Sequence, residues 1–187
     1  MKAIKRVKFK RRREGATDYY KRLALVKGGL YRVVVRKTNR RIIGQVIEYN
    51  PEGDKVIAGV DSSMLKKYGW PSRANKATAY LTGMLLAKRF KENKECILDI
   101  GLNSSVKNSL PFVFAKGCAD AGMKIRGNFE IPEEAYNMSS VADYAKQLGS
   151  GEKLNKQFGA YIKEGISIEQ LPKLFKEVQE KIMEEKE

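Results

Sequence analysis

The side chains that carry most enzymatic chemistry are scarce in this sequence. It contains no histidine and two cysteines in 187 residues. A Ser-His-Asp or Cys-His centre is therefore excluded, and so is any metal site built on imidazole. Cys96 and Cys118 are too far apart to form a CxxC zinc or redox pair. Two thiols in a chain of this length suggest a reducing compartment and not a disulfide-stapled secreted fold. Gly117 and Gly122 have the separation of a phosphate-binding Walker loop, but Met123 stands where the lysine is required. Both glycines fall in or just after a helical stretch, so they read as helix packing and a helix stop. Asp99 and Asp120 have no third acid nearby to complete a two-metal nuclease. Asp99 reads as a cap or salt-bridge partner, and an RNA-processing enzyme resting on it is the rival reading. Nothing in the sequence implies a cofactor or a metal.

The chemistry that is abundant is cationic. Lys and Arg number 37 against 22 Asp and Glu, a formal charge of +15. The excess is uneven: residues 1–13 carry eight bases and no acid, and residues 14–50 carry eight more against three acids. Residues 151–187 hold seven bases and eight acids. Such single-sign crowding repels itself unless a polyanion cancels it. No apolar run follows the basic start as in a signal peptide, and none is long enough to span a bilayer. A polybasic membrane anchor needs a second hydrophobic signal, which Val7 and Phe9 supply poorly. Nucleic acid is the expected partner, with RNA favoured and a general DNA-compacting role as the alternative.

Three basic constellations are candidate RNA contacts. The first is Lys8, Lys10, Arg11, Arg12 and Arg13, followed by Tyr19, Tyr20 and Arg22. Arginine grips phosphates bidentately, and tyrosines beside it can stack on splayed bases. Helical phase alone leaves Tyr20 equally open to core packing. The second is Arg36, Lys37, Thr38, Asn39, Arg40 and Arg41, where four cations crowd the tip of a hairpin between apolar strands. Thr38 and Asn39 add short polar groups suited to phosphates and the ribose 2′-hydroxyl. The third is Arg73 and Lys76, in a loop feeding a helix N-terminus, where backbone N–H groups favour a phosphate. The polar stretch Asn103–Ser109 is a weaker fourth.

These residues need a scaffold, and the sequence supplies its elements. Residues 1–13 are too charged to fold alone and should order on a phosphate surface. A helix is expected over 16–27, capped by Thr17 or Asp18, with Tyr20 and Leu23 facing inward and Leu25 and Val26 beside them. Strands follow at Tyr31–Lys37, Arg41–Tyr49 and Lys55–Val60, the last two joined by an NPEGD turn, as an antiparallel meander. A short helix over Ser62–Tyr68 and a long one over Lys76–Glu92 come next. Gly83 inside the long helix implies close approach of a neighbour. A buried strand over Glu95–Gly101, a helix capped by Ser109 with Pro111 in its first turn, and a short strand near Met123–Ile125 complete a βαβ unit. The expected fold is α/β: a mixed sheet with helices packed on it. Beyond Arg126 three further helices are expected. In the last, Leu171, Leu174, Phe175, Val178 and Ile182 form one apolar stripe, and Pro172 places its start near Leu171. The organisation is a basic arm over 1–13, a core over 14–125 and a helical extension over 126–187.

The segments KFKRRREGATDYYKRL, YRVVVRKTNRRIIGQVIEYNPEGD, AYLTGMLLAKR, ILDIGL and FVFAKGCADAGMKI, in this order and spacing, resemble large-subunit ribosomal protein L-eighteen in its archaeal type. AYNMSSVADYAKQL and the LPKLF helix resemble that branch's C-terminal extension. The resemblance implies a cytoplasmic, non-enzymatic ribosomal protein. Its implied partners are 5S rRNA, the large rRNA and neighbouring proteins of the large subunit's central protuberance. It assigns the family's basic amino-terminal segment to Lys8, Lys10, Arg11, Arg12 and Arg13. It assigns the RNA-contacting strand and turn to Arg36, Thr38, Asn39, Arg40 and Arg41. Arg41 stands where many members have histidine, and keeps a base there.

Overall fold

The computed structural model describes residues 7–149 and 152–185. Lys2, Lys5 and Arg6 of the basic arm, and Ser150 and Gly151 between two helices, lie outside the described residues. Three β-branched runs form the meander: β1 (Tyr31–Lys37), β2 (Ile42–Glu48) and β3 (Lys55–Asp61). β1 pairs antiparallel with β2, and β2 with β3, through a register shift at Val46/Ile47. β4 (Cys96–Asp99) lies parallel to β1, and β5 (Ile125–Arg126) parallel to β4. The sheet order is β3-β2-β1-β4-β5. The fold is the mixed α/β sheet that the alternation of strands and helices implied.

Two helices cover one face of this sheet: α3 (Lys76–Arg89) and α4 (Leu110–Asp120). Glycines let them touch backbone to backbone. A Cβ on Gly83 would sit 2.2 Å from the carbonyl oxygen of Phe114, and one on Gly117 2.2 Å from that of Tyr80. Gly44 does the same for the sheet, since its Cβ would fall 2.2 Å from the Phe114 ring. Gly117 is therefore helix packing, and Gly122, at φ +95°, follows the end of α4. The Ser109 hydroxyl does not cap α4 as expected. Its Oγ is buried without a partner, and the chain enters the helix from Asn108 at φ +59°.

The helices α5 (Ser139–Leu148), α6 (Glu152–Lys163) and α7 (Leu171–Glu184) close the chain. α7 begins where Pro172 requires. Leu171, Phe175, Val178 and Ile182 are all fully buried. Phe175 meets the rings of Trp70, Tyr80 and Tyr136 at centroid distances of 5.9, 5.7 and 6.0 Å. The extension thus shares one core with α3 and the sheet.

Candidate nucleic-acid interface

The other face of the sheet is where the basic residues gather. The arm opens on a single helical turn, α1 (Lys10–Arg13), exposed along its length. It is tied down by a hydrogen bond from Arg11 Nε to Thr17 Oγ1 at 2.8 Å and by the Phe9 ring, 5.4 Å from that of Tyr19. The arm thus has a local ordering device beyond what its charge suggested. α2 (Tyr19–Lys27) follows, and Asp18 caps it by accepting from the backbone N–H groups of Tyr20 and Lys21. Aspartate suits this place twice over, as an acceptor and as an anion at the positive end of the helix.

The inward face expected for α2 is only partly right. Leu25 and Val26 are half-buried, whereas Tyr20 is 71% and Leu23 53% exposed. The Arg12 guanidinium lies 4.9 Å from the centre of the Tyr20 ring. Such stacking holds the cation over an aromatic face and leaves both groups at the surface. α2 buries no residue fully, so contacts with the sheet face hold it, not a core of its own.

One of those contacts is ionic and opens a longer network. Arg22 Nη2 lies 2.9 Å from Asp54 Oδ2, and Arg32 Nη2 lies 2.5 Å from the same oxygen. Arg32 Nη1 then reaches Asp99 Oδ2 at 3.2 Å, and Arg36 Nη2 reaches Asp99 Oδ1 at 3.3 Å. Asp99 Oδ1 also accepts from the Gly101 backbone N–H at 2.8 Å. Asp99 is thus the salt-bridge partner its position suggested. Arg32 is 2% exposed, and a charge so buried requires paired anions. The chain of ions runs from α2 through the β2–β3 turn and the middle of β1 to the foot of the hairpin. Sequence reasoning missed Arg32 and Asp54. The available signal was Arg32 at the apolar start of the strand YRVVVRK, on the same side as Val34.

The hairpin tip is built by Thr38. Its Oγ1 accepts from the Arg41 backbone N–H at 2.9 Å and donates to the Arg41 carbonyl at 3.1 Å. The hydroxyl proton expected to serve a ribose is therefore engaged inside the turn. Asn39 and Arg40 stand exposed beside it, and Arg41 Nη1 lies 3.7 Å from Asp61. Arg36 bonds the carbonyls of Val35 and Asp99, yet its side chain remains 46% exposed.

One cleft of about 790 Å³ brings much of this together, with Arg11, Tyr19 and Arg22 on one wall and Arg36 and Lys37 on the other. Arg73 and Lys76 do not join it. Arg73 Nη2 binds Glu164 at 2.8 Å and the Ala160 carbonyl at 3.1 Å, and its guanidinium lies 5.5 Å from the Tyr161 ring. Asn75 closes the start of α3 by accepting from the Thr78 backbone N–H at 2.8 Å. This loop fastens α6 to the body, and Lys76 is exposed at its edge. Among the described residues, no three potential ligand side chains converge on a metal site. No helix among them is long and apolar enough to cross a membrane.

A family model described as "Ribosomal large subunit proteins 60S L5, and 50S L18" matches residues 4–95. The chain is 45% identical over 184 residues to the large ribosomal subunit protein uL18 of Korarchaeum cryptofilum, covering 96% of this chain and 92% of that protein. The chain belongs to the uL18 family. The match to an archaeal uL18 extends through the C-terminal helices, in keeping with the archaeal type that the sequence resembles. Within a uL18 chain the ion network has a clear role: it ties α2, which follows the basic arm, and the basic hairpin to one sheet.

Proposed function

We propose that this chain is a structural constituent of the large ribosomal subunit that binds 5S rRNA and helps attach it to the large rRNA in the central protuberance. The observation that carries this reading is where unpaired cations stand. Lys8, Arg13, Lys37 and Arg40 have no ion pair among the described residues, and Arg12 contacts only the Tyr20 ring. All are exposed on the arm or hairpin. With Lys10, Arg11, Tyr19, Tyr20, Arg22, Arg36, Asn39 and Arg41 they form the RNA surface. The deep, narrow major groove of A-form RNA excludes side chains, so recognition rests on backbone shape and on unpaired bases. Arg73 and Lys76 lie outside this surface, Arg73 being held by Glu164 and the Ala160 carbonyl. The chain's further partners are the large rRNA and neighbouring proteins of the large subunit. The role is positional, with no catalysis.

Affinity for 5S rRNA measured against salt tests the reading. Neutralising about eight phosphates gives a fall of roughly 6–7 decades in affinity per decade of salt. A slope near zero overturns it. Equal affinity for duplex DNA of the same length points instead to general polyanion compaction. Sedimentation from cell extract checks the assembly: the chain should travel with the large subunit and 5S rRNA.

A further inference from the structure

The cleft between α2 and the open sheet face is built for more than phosphate contacts along its rim. Its walls are apolar where α2 faces the sheet, with Ala24 and Leu25 on one side and Val34 and Ile47 on the other. Leu102, 56% exposed, stands beside it. The lining also carries six cations against Asp18, Asp54 and Asp99. All three carboxylates are already engaged, with α2 backbone N–H groups, with Arg22 and Arg32, and with Arg32 and Arg36. Lys21 and Lys37 line the cleft without any such partner among the described residues. Two polar atoms of the floor, Arg32 Nε and Asp54 Oδ1, lack partners in the protein. Arg32 is 98% buried, and an unpaired donor in such a place is rare without a function.

We infer that this cleft receives a single nucleotide turned out of the bound RNA. The inference rests on the 5S rRNA reading and adds a subsite to it. Its volume, about 790 Å³, falls within the range of about 300–1,000 Å³ typical of small-ligand sites. The base lies between the aliphatic walls and Lys21 and Lys37 take its phosphate, with the buried Arg32–Asp54 pair behind. A duplex cannot present a base this way, so the cleft selects an unpaired position, which is how RNA is usually read by sequence.

Filling the cleft without changing charge tests this. Ala24 is exposed on α2 and lines the cleft, whereas Leu23 next to it is exposed and does not. Ala24→Trp should weaken 5S rRNA binding about tenfold with an unchanged salt slope, and Leu23→Trp should leave affinity within about twofold. Acylation probing of the 2′-hydroxyls adds a positional readout. One nucleotide protected by the wild-type chain should become reactive with Ala24→Trp, while the rest of the footprint stays. Wild-type affinity and footprint for Ala24→Trp, with unchanged thermal stability, overturn the subsite and leave the RNA reading standing. If the wild-type chain fails to bind 5S rRNA, that reading falls first. Millimolar adenosine, guanosine, cytidine and uridine monophosphates, followed by NMR at Leu25 and Val34, distinguish the source. Saturation by a free nucleotide with no loss of 5S affinity in its presence would make the cleft a mononucleotide site and refute the RNA assignment.

Discussion

The arm-and-hairpin end of the molecule and its C-terminal helices both carry many lysines and arginines, but arrange them differently. Beyond the hairpin the cations stand among acids: some pair with them, as Arg73 with Glu164, Lys116 with Asp120, Arg126 with Glu95 and Lys146 with Asp143, and over 151–187 seven lysines stand among eight glutamates. At the other end the few acids are occupied at the base, where Asp54 and Asp99 hold Arg22, Arg32 and Arg36. The outermost cations are left facing solvent. The lesson concerns cations that lack both a partner and acidic neighbours, because only there does the local field stay positive enough to attract a polyanion. The buried ions at the base then act as mounting, and the exposed ones as the binding surface.

The sharpest way to separate these roles is to damage the neutral half. Phe175→Ala removes a fully buried ring between Trp70, Tyr80 and Tyr136. Such truncations cost about 3–5 kcal/mol. Denaturant unfolding should show this loss, while the salt slope of 5S rRNA binding by the remaining folded protein stays as in wild type. A lowered slope would mean that the extension shares in phosphate contact.

Asp99→Asn strikes the mounting. It leaves Arg32, 2% exposed, with Asp54 as its one carboxylate, and Arg36 with backbone carbonyls only. Breaking a buried pair costs about 3–5 kcal/mol, and the low end applies here because Asp54 still faces Arg32. Urea midpoints should fall accordingly. The same variant decides against the enzyme rival: magnesium-dependent cleavage of labelled RNA by the wild type that vanishes in Asp99→Asn would overturn a purely structural role.

Replacing Arg11, Arg12 and Arg13 by glutamine addresses the binding surface itself. These side chains are exposed and fold stability should barely change. Affinity for 5S rRNA should drop about tenfold to a hundredfold, roughly 1.4–2.7 kcal/mol, and the salt slope by about 2–3. A loss of affinity with an intact slope would locate the effect in stacking on Tyr20 and not in charge.

Much of this division could be read from the sequence because it is local. The β-branched run of β1, the Pro172 start of α7 and the glycine inside α3 each leave a mark within a few residues. What could not be read is pairing across the chain. Arg36 with Asp99, and Arg73 with Glu164, join residues distant in sequence and brought together only by the parallel β1–β4 pairing or by the docking of α6. No spacing announces such pairs, so Arg73 looked as available for phosphate as Arg40. Tyr20 and Leu23 were placed inward by helical phase, but α2 lies on the sheet through Arg22 and Leu25, which turns those two residues outward.

The smallest expected effect comes from pH. Phosphate keeps its charge near neutrality, so any pH dependence of RNA binding must come from the protein. There is no histidine to titrate. The groups whose pKa is displaced all move away from neutrality. Glu92 is lowered by its bonds to Lys94 and Tyr31, and burial drives Tyr80 and Cys118 upward. Burial also pushes the Cys96 thiol up to about 11 and the Tyr68 hydroxyl up to about 12, the latter helped by its bond to Glu185. Affinity for 5S rRNA should therefore change by less than roughly twofold between pH 6 and 8. Stability is the quantity that should respond, at high pH and, through Glu92, in acid below the ordinary carboxylate range. A folded pKa above the unfolded one means that the native state keeps a proton the unfolded chain has lost, so stability falls as pH rises through the interval between them. For Cys96 that interval runs from its ordinary value of 9.0 to about 11. Thermal melts should be flat through neutrality and decline above pH 9, and Cys96→Ser should lessen the decline. A step in affinity near pH 6.5 that is absent from the free RNA would break the argument, because no side chain of the basic half titrates there.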